Sequence, residues 1–520
     1  MKTLLVSLAL GAAFSSVARA APPKVARVVL IVIDQCRADY PNRFPMPRVN
    51  ELISAGTSFS EATVGHLPAV TVVSHAVIAT GLFPGHLPWG DELYPDTTGL
   101  LGQPGKLYLS ARLEFDEFEK LYRSLGKVPE SLPALLRKTL GGPVYAIGSK
   151  GYSASCLGAA GADSTITLGD PIEDGRWAGF RGPAGSKLPP GLVGPVGGPL
   201  FLDTHGTHGT AHLEYPQKGE LYIDLPGTGR DGGDLWMANV ALKVMRLDPG
   251  WRGLLITMPG VDRVGHLLGE FSGRVDLGQG PGIHLEAAVA TADRAVGRIV
   301  DRLRTDGLLE ETLLVVTSDH GATAGSFLGD AGPERAYDNW YFGAAANGAH
   351  RRPSRAVAPL ASLSNVRFIA ADTMVRAWLA DRSIAALVQA GRVAFGLPGV
   401  REVHGLVNGR YVRLFSRSSG DPESDRPWLR PRVLLNTLAA PHAPHVVALL
   451  GPGVTYGTRG DHGGDQDDVQ RIPLVFTGPG VARGRVVSGQ ARLVDVVPTI
   501  RSLLGLSPGG GYDGEPLVGE

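Results

Sequence analysis

The sequence lacks an excess of charge of either sign. Its 520 residues include 50 Lys+Arg and 50 Asp+Glu, so the formal net charge at pH 7 is zero. A protein that wraps nucleic acid or coats an anionic membrane surface needs a large positive field, and this balance excludes both classes. Affinity for a charged ligand must therefore come from a local group of side chains.

Long apolar runs are also missing. No stretch of about 18 uninterrupted apolar residues occurs, which predicts no membrane span. The first 20 residues combine Lys2, a shorter apolar run at 4–14 and the small-residue pattern Ala18-Arg19-Ala20, which is the layout of a secretory signal peptide. We therefore expect residues 1–20 to be removed and the mature protein to be exported, either periplasmic or secreted.

Cysteine is scarce, since only Cys36 and Cys156 occur. In an oxidising compartment this pair could close one disulfide or remain as two buried thiols, and the sequence leaves both alternatives open. Glycine (71) and proline (39) together make about a fifth of the chain, below the roughly 25–30% that is typical of disordered chains. With 43% hydrophobic residues, the composition indicates a globular, loop-rich protein.

Three apolar runs predict strands that are buried on both faces. They occupy residues 27–33 (RVVLIVI), 254–258 (LLITM) and 312–317 (TLLVVT). Asp34, Asp262 and Asp319 follow these runs within a few residues. In open α/β sheets ligands bind at the carboxyl ends of the strands, so we expect the three carboxylates at one such edge.

Helical patterns separate the predicted strands, most clearly at residues 285–304. This alternation predicts an α/β fold with a mostly parallel central sheet and helices on both faces. Residues 182–233 and about 325–441 break the rhythm, and we interpret them as insertions in a single catalytic domain of residues 21–520.

Six histidines and aspartates flank the predicted buried strands and form a candidate metal-binding set. Each spacing is weak evidence alone, because a strand-end Asp is often only a turn former. Together, mixed histidine and carboxylate ligands suit zinc or a similar divalent ion, and six are enough for two ions. The set comprises Asp34, Asp262, His266, Asp319, His320 and His462.

Thr71 is the candidate nucleophile. It begins a predicted helix, so its hydroxyl would meet the unpaired N–H groups of the first turn and a metal ion. The segment alone leaves open that Thr71 is an N-cap without chemistry. His75 follows one turn later, and we expect it to have a structural role.

Ordered motifs carry a specific family resemblance. They are VLIVID ending at Asp34, PAVT at Thr71 with TGLFP at Pro84, VDRVGH at His266, TSDHG at Gly321, GDHG at Gly463, and the closing VDVVPTIRSLLGL at Leu506. The sequence resembles the alkaline phosphatase superfamily from about Val28 to Val518. It is most similar to the type I phosphodiesterase/nucleotide pyrophosphatase group and its single-domain alkaline phosphatases with a threonine nucleophile.

The resemblance implies roles for the candidate residues. Asp262, His266 and His462 would hold one zinc, whereas Asp34, Asp319 and His320 would hold a second zinc together with Thr71. Thr71 would attack phosphorus in a small phosphate ester and form a phosphothreonine intermediate. The implied activity is that of an alkaline phosphomonoesterase.

Two departures from the family pattern leave the substrate open. Where relatives usually have an asparagine that donates to the phosphoryl group, this chain has Asp91, which can donate only if protonated and otherwise must be paired with a metal or lysine, or displaced. Where monoesterases carry a Lys-x-Arg pair, the chain has Lys150 and Tyr152. Lys150 favours monoesters, but the changes keep a phosphodiesterase or nucleotide pyrophosphatase, and a catalytically silent phosphate-binding protein, as alternatives.

Overall fold

Twenty-two strands and fourteen α-helices make up the computed structural model, which describes residues 25–518 except 127–128, 168–178, 182–232, 269–282, 324–325, 328–340, 345, 347–349, 352–354, 419–425 and 458–459. The strands are β1 (Arg27–Ile33), β2 (Thr57–Phe59), β3 (Ala62–Thr63), β4 (Leu93–Pro95), β5 (Leu107–Leu109), β6 (Val144–Gly148), β7 (Ser164–Thr167), β8 (Gly179–Arg181), β9 (Gly253–Met258), β10 (Thr312–Thr317), β11 (Ser326–Phe327), β12 (Tyr341–Ala344), β13 (His350–Arg351), β14 (Val366–Ala371), β15 (Met374–Leu379), β16 (Val400–Val407), β17 (Arg410–Ser416), β18 (Val446–Leu450), β19 (Val454–Thr455), β20 (Leu474–Thr477), β21 (Arg485–Val487) and β22 (Ala491–Arg492). The helices are α1 (Tyr40–Arg43), α2 (Pro47–Ala55), α3 (Thr71–Thr80), α4 (Phe115–Arg123), α5 (Leu132–Leu140), α6 (Gly151–Ala159), α7 (Gly233–Leu247), α8 (Gly260–Leu268), α9 (Ile283–Thr305), α10 (Ala358–Ala361), α11 (Ile384–Phe395), α12 (Pro431–Asn436), α13 (Asp467–Gln470) and α14 (Val496–Leu503).

The central sheet has nine strands in the order β21-β2-β20-β10-β1-β9-β6-β7-β8 within the described ranges. Its middle strands, β10, β1, β9, β6 and β7, are parallel to one another, whereas β20 and β8 pair antiparallel. The three apolar runs of the sequence are β1, β9 and β10, so they are adjacent and their carboxyl ends meet at one edge.

Alternate residues of β1 divide the core into two layers. Val28, Leu30 and Val32 pack with α3 to α6 and α14, and the intervening Val29, Ile31 and Ile33 pack with α2, α7 and α9. A strand that is apolar on both faces needs helices on both sides of the sheet, because apolar side chains left in water would not contribute the free energy of burial. The predicted α/β fold with helices on both faces is confirmed.

The two cysteines lie in different layers of this core. Cys36 is buried beneath the face that holds α9, and Cys156 belongs to α6 on the opposite face. Both are free thiols, since the sheet separates them. Burial raises the pKa of both thiols, that of Cys156 to about 12.

Among the residues that the structure describes, a second sheet has seven antiparallel strands in the order β13-β12-β14-β15-β18-β16-β17. Most of it falls within the region interpreted as an insertion at 325–441. Helix α11 packs on one face and α12 on the other. Leu67 joins the α12 layer, and its N–H donates to Thr437 Oγ1 over 3.2 Å, which fastens this sheet to the loop that leads into α3.

Two sequence-derived regions lie outside the described residues. The expected signal peptide, residues 1–20, is one of them. The other is the region interpreted as an insertion at 182–233, of which the structure describes only the last residue, the first of α7.

Candidate metal centre

The six candidate ligands converge at the carboxyl edge of the central sheet. Asp34 directly follows β1, and Asp319 and His320 follow β10. Asp262 and His266 lie four residues apart in α8, which begins just after β9, so they share one face of that helix. His462 comes from the loop before α13, where an isolated bridge between Ala69 and Gly463 holds it beside α3.

Asp262, His266 and His462 form the first ligand set. His266 Nε2 lies 3.1 Å from Asp262 Oδ1 and 3.1 Å from His462 Nε2, and His462 Nε2 lies 3.6 Å from Asp262 Oδ1. Donor atoms around a tetrahedral zinc with bonds of about 2.1 Å are about 3.4 Å apart. The three atoms therefore have the spacing of ligands that share one ion.

The electrostatics of His462 support this assignment. Burial lowers the pKa of its imidazole, but the hydrogen bond and the charge of Asp262 outweigh that effect and raise it to about 9. The ring nitrogen that faces Asp262 and His266 is thus in an environment that attracts a cation.

Asp34, Asp319 and His320 form the second ligand set. His320 Nε2 lies 3.5 Å from Asp34 Oδ1 and 3.5 Å from Asp319 Oδ2. All three side chains are fully buried, and one ligand atom of each lies within 4.8 Å of the other two. Thr71 Oγ1 lies 3.3 Å from His320 Nε2, so the predicted nucleophile borders this set.

Hydrogen bonds fix the tautomers of two of the histidines. His320 Nδ1 donates to Gly321 O over 3.0 Å, and His462 Nδ1 donates to Ala69 O over 3.0 Å. A carbonyl can only accept, so both Nδ1 atoms carry the proton and both Nε2 atoms are left to bind a cation. This is the usual outer support of a metal-ligating histidine.

Two buried carboxylates that lack hydrogen bonds and repel their neighbours also support a metal site here. Asp34 Oδ1 and Asp319 Oδ2 accept no hydrogen bond within the described ranges. Burial raises the pKa of both carboxyl groups, and repulsion from Asp262 raises that of Asp34 further, as the charge of Asp34 does for Asp319. A divalent cation would relieve this repulsion.

Lys150 lies between the two ligand sets. Its Nζ donates to Asp34 Oδ2 over 2.6 Å and to Asp262 Oδ2 over 2.5 Å, which leaves the Oδ1 atoms of both carboxylates facing the histidines. Burial lowers the pKa of the ammonium group, but the two carboxylates raise it overall to well above its usual value. Lys150 is therefore a buried, charged side chain at the centre of the site.

Thr71 is the first residue of α3, and it is almost fully buried. Its neighbour Val70 offers no side-chain cap, so the first-turn N–H groups stay available to a ligand. His75 Nδ1 donates to Thr71 O over 2.7 Å, and His75 Nε2 accepts from Thr257 Oγ1 over 2.9 Å. Burial lowers the pKa of His75 to about 3, so the imidazole is neutral and both nitrogens are engaged.

Gln35 is a part of the site that the sequence did not reveal. It is fully buried and has φ 64°, in the left-handed region that a glutamine rarely adopts. Its backbone N–H donates to Asp319 Oδ1 and its side-chain amide donates to Asp262 Oδ1, each over 3.2 Å. One residue thus holds a carboxylate from each ligand set.

Arg376 is a second residue near the site that the sequence did not reveal. It lies on β15, buried, with Nε 2.6 Å from Asp91 Oδ2 and its two terminal nitrogens bound to Asp372. Asp372 in turn fills the space that a side chain at Gly463 (φ 118°) would occupy, so this ion-pair cluster packs against the His462 loop. Asp91 is paired with an arginine, a partner that the sequence did not indicate.

The charge state of Asp91 reflects two opposed effects. Burial raises the pKa of its carboxyl group, and although Arg376 lowers it, the result is about 7.

Tyr152 is half-buried, with its ring centroid 6.0 Å from Lys150 Nζ, and burial raises its pKa to about 12. Tyr152 is therefore neutral at physiological pH.

The sequence matches the family model for type I phosphodiesterase / nucleotide pyrophosphatase over residues 28–87 and 214–367. These ranges contain Thr71 and all the candidate ligands except His462. No curated protein has a matching sequence.

Solved structures share the fold over nearly the whole chain. Wild-type alkaline phosphatase PafA is 16% identical, with a TM-score of 0.60 over 96% of this chain and 100% of that one. Human ectonucleotide pyrophosphatase/phosphodiesterase 5 is 14% identical, with a TM-score of 0.52 over 94% of this chain and 97% of that one. The murine protein of the same name, inactive and in complex with AMP, is 13% identical, with a TM-score of 0.52 over 94% and 97%.

These comparisons confirm the predicted resemblance to the alkaline phosphatase superfamily. Within the superfamily, the matching family model is that of type I phosphodiesterases and nucleotide pyrophosphatases, and the predicted enzyme class, a phosphoric ester hydrolase, is confirmed. No helix in the described ranges combines the length and the apolar character that crossing a membrane requires.

Proposed function

We propose that the protein is an exported, metal-dependent alkaline phosphomonoesterase that works through a phosphothreonine on Thr71. The observation that carries this proposal is the position of Thr71 Oγ1, 3.3 Å from His320 Nε2 at the start of α3 and beside both ligand sets. The family match over residues 28–87 and 214–367 supports the reaction class. The expected signal peptide supports export.

Six side chains would hold two divalent ions, and we propose zinc, because each set combines histidine nitrogen with carboxylate oxygen. When bound, such ions would lower the pKa of hydroxyl groups beside them and neutralise negative charge on phosphoryl oxygens. Asp262, His266 and His462 would hold one ion, and Asp34, Asp319 and His320 would hold the other.

Side chains and backbone groups of the protein would supply the nucleophile and the contacts to the phosphoryl group. Thr71 Oγ1 would release its proton to solvent and attack phosphorus in line with the leaving oxygen. The P–O bond to the leaving group would break as the bond to Thr71 forms, and the leaving oxygen would take up a proton from solvent. Attack of water on the phosphothreonine would then release inorganic phosphate and restore the Thr71 hydroxyl. The N–H groups at the start of α3 would donate to the phosphoryl oxygens. His75 would keep Thr71 in place and would not act as a base, since both of its nitrogens already have partners.

We propose that Lys150 donates a hydrogen bond to the substrate once the cations are bound. Two of its three N–H donors now serve Asp34 and Asp262, whose negative charge the cations would offset. One N–H could then donate to a phosphoryl oxygen. A small phosphate ester fits this role, and the murine relative with bound AMP supports a substrate of that size.

Tyr152 is the observation that favours a second candidate function, a phosphodiesterase or nucleotide pyrophosphatase. A monoester carries up to two negative charges on its phosphoryl group, whereas a diester carries one. Because Tyr152 is neutral, Lys150 is the cation that this strand-to-helix turn offers. A single positive side chain suits a singly charged phosphodiester.

One rate comparison tests these proposals. The full-length, zinc-loaded enzyme is assayed at alkaline pH on an aryl phosphate monoester and on the diester with the same leaving group, with metal analysis of the same preparation. A higher kcat/KM for the monoester supports the phosphomonoesterase, and a higher value for the diester supports the second candidate. Absence of chelator-sensitive turnover of either would overturn both and favour a silent phosphate-binding protein.

A further inference from the structure

A cavity of about 970 Å³ lies on the second sheet, away from the candidate metal centre. It opens between the β16–β17 hairpin and residues 427–439, which include α12. None of its lining residues in the described part of the chain is a candidate metal ligand or Thr71. A ligand in this cavity would therefore contact a separate set of side chains.

Four arginines surround the cavity. Arg410 and Arg413 extend from β17, and Arg430 and Arg432 come from the segment that begins α12. Within the described ranges, Arg410, Arg430 and Arg432 make no ion pair, whereas arginines elsewhere on the surface, such as Arg48 with Asp301, do so. In a chain with no net charge, this is a local concentration of positive charge.

The floor of the cavity supplies a second, independent sign of a ligand. His404 is buried to more than nine-tenths and lines the cavity, and its Nδ1 has no hydrogen-bond partner in the described ranges. Its Nε2 lies 3.1 Å from Glu402 Oε2. A carboxylate accepts, so Nε2 carries the proton and Nδ1 of a neutral ring is an acceptor that lacks a donor.

Glu402 does not cancel the positive charge around the cavity. Its Oε1 pairs with Arg401 over 3.0 Å and its Oε2 with His404, so both oxygens have partners. Burial raises the pKa of this carboxyl group, but the hydrogen bond from His404 and the charges of Arg401 and Arg413 lower it overall. Glu402 is thus ionised and engaged, and the three arginines that make no ion pair with any described residue remain available.

We infer that this cavity binds a phosphorylated sugar or polyol that carries at least two phosphate groups. Guanidinium groups bind phosphate oxygens in pairs of parallel hydrogen bonds, which is the chemistry that Arg430, Arg432 and Arg410 offer. A hydroxyl group of the ligand would donate to His404 Nδ1 and satisfy the buried acceptor. The exposed Val412 and Val433 would contact the carbon skeleton.

The test uses the full-length, metal-loaded Thr71→Ala variant, so that turnover does not obscure binding, and titrates it calorimetrically with fructose 1,6-bisphosphate at physiological salt. In that background we compare Arg430→Gln/Arg432→Gln with Arg483→Gln/Arg485→Gln. The control removes the same charge at the same spacing from an exposed segment at the far edge of the central sheet. We expect two binding events, and the first double variant should weaken one of them by about 10- to 100-fold.

Equal weakening by both double variants would mean general charge attraction and would overturn the inference, as would no weakening by either. A further variant, His404→Gln, tests the floor with fructose 1,6-bisphosphate and with pyrophosphate, which has no hydroxyl group on carbon. We expect it to weaken the sugar bisphosphate alone. Unchanged binding of both probes would contradict the role of His404, and if this buried variant does not fold, the exposed arginine variants still decide the question.

Discussion

The side-chain amide of Gln35 donates to Asp262 Oδ1 over 3.2 Å, while the backbone N–H of the same residue donates to Asp319. The two carboxylates belong to different ligand sets. A single residue in a left-handed conformation therefore fixes the relative position of the two sets.

The first prediction follows from that arrangement. Gln35→Gly keeps the backbone donor to Asp319 and removes the amide donor to Asp262, so metal affinity of the Asp262 set should fall about tenfold while that of the other set is retained. Chelator competition with metal analysis measures both affinities. Asn408→Gly is the matched control, since Asn408 also has a positive φ but lies in the β16–β17 turn. Unchanged affinities in Gln35→Gly would contradict the role of the amide.

Thr71→Ala should lower kcat by at least about 10³-fold, because the reaction loses its nucleophile. Metal content should stay near that of the wild type, since six other side chains hold the ions. Ser74→Ala is the control: it removes a buried hydroxyl from the same helix, one that has no hydrogen-bond partner in the described ranges. Comparable losses of rate in both variants would argue against Thr71 as nucleophile.

Lys150→Met should lower stability far more without metal than with it. Removing the ammonium leaves Asp34 and Asp262 buried without their counter-charge, which costs about 3 kcal/mol, whereas bound cations would replace that charge. Urea unfolding with and without chelator measures the difference. Lys138→Met, which breaks only an exposed pair with Glu130, should change neither value by more than about 1 kcal/mol.

Asp91→Asn should increase stability, and the increase should grow as the pH rises. The folded-state pKa of about 7 lies above the ordinary value for Asp, so the wild type loses stability between about pH 4 and pH 7, where the unfolded state releases the Asp91 proton and the folded state retains it. Below that window Asp91 is neutral in both states and its contribution vanishes. The Tm difference between variant and wild type should therefore be larger at pH 8 than at pH 5, and an equal difference at both would contradict the assignment.

The same variant also tests substrate recognition. If Asp91 faces the phosphoryl group, an amide donor at this position should raise the ratio of monoester to diester rates. Measurement uses one monoester and one diester with a common leaving group. An unchanged ratio would mean that Asp91 acts only through Arg376 and the second sheet.

Both cysteines should react with a thiol reagent only after unfolding. Each is buried and has a raised pKa, so the native protein should show slow reaction and the denatured protein two thiols per chain. Reductant should leave Tm unchanged. A fall in Tm with reductant would indicate a disulfide.

The ends of three strands could be predicted because their sequence signal is local. Residues 27–33 and 312–317 are continuous apolar runs with an abrupt polar stop, and the structure gives β1 and β10 the same limits. The helix predicted at 285–304 lies within α9. An acidic residue after such a strand is fixed in space by the sheet itself, which is why Asp34 and Asp319 could be assigned to one edge.

Other parts of the site depend on contacts between distant residues. Asp91 and Arg376 are far apart in the chain, and their pairing follows from how the second sheet packs against the β4–β5 strands that follow Asp91. The conformation of Gln35 has no sequence signal either, because glutamine does not favour a positive φ. The seven-stranded sheet was visible only as a region that broke the α/β rhythm, since its short strands lie between charged loops.

The order of the ligands along the chain has a consequence for biogenesis. Asp34 follows the first strand, and His462 lies near the end of the chain, so the complete set cannot exist until about nine-tenths of the polypeptide has been made. Contacts between residues so far apart in the sequence form late in folding. A large loop must close first, and its entropy cost comes before the contact contributes any stabilising free energy. Binding of both metal ions therefore requires residues from both ends of the chain, and it can serve as a checkpoint for complete folding.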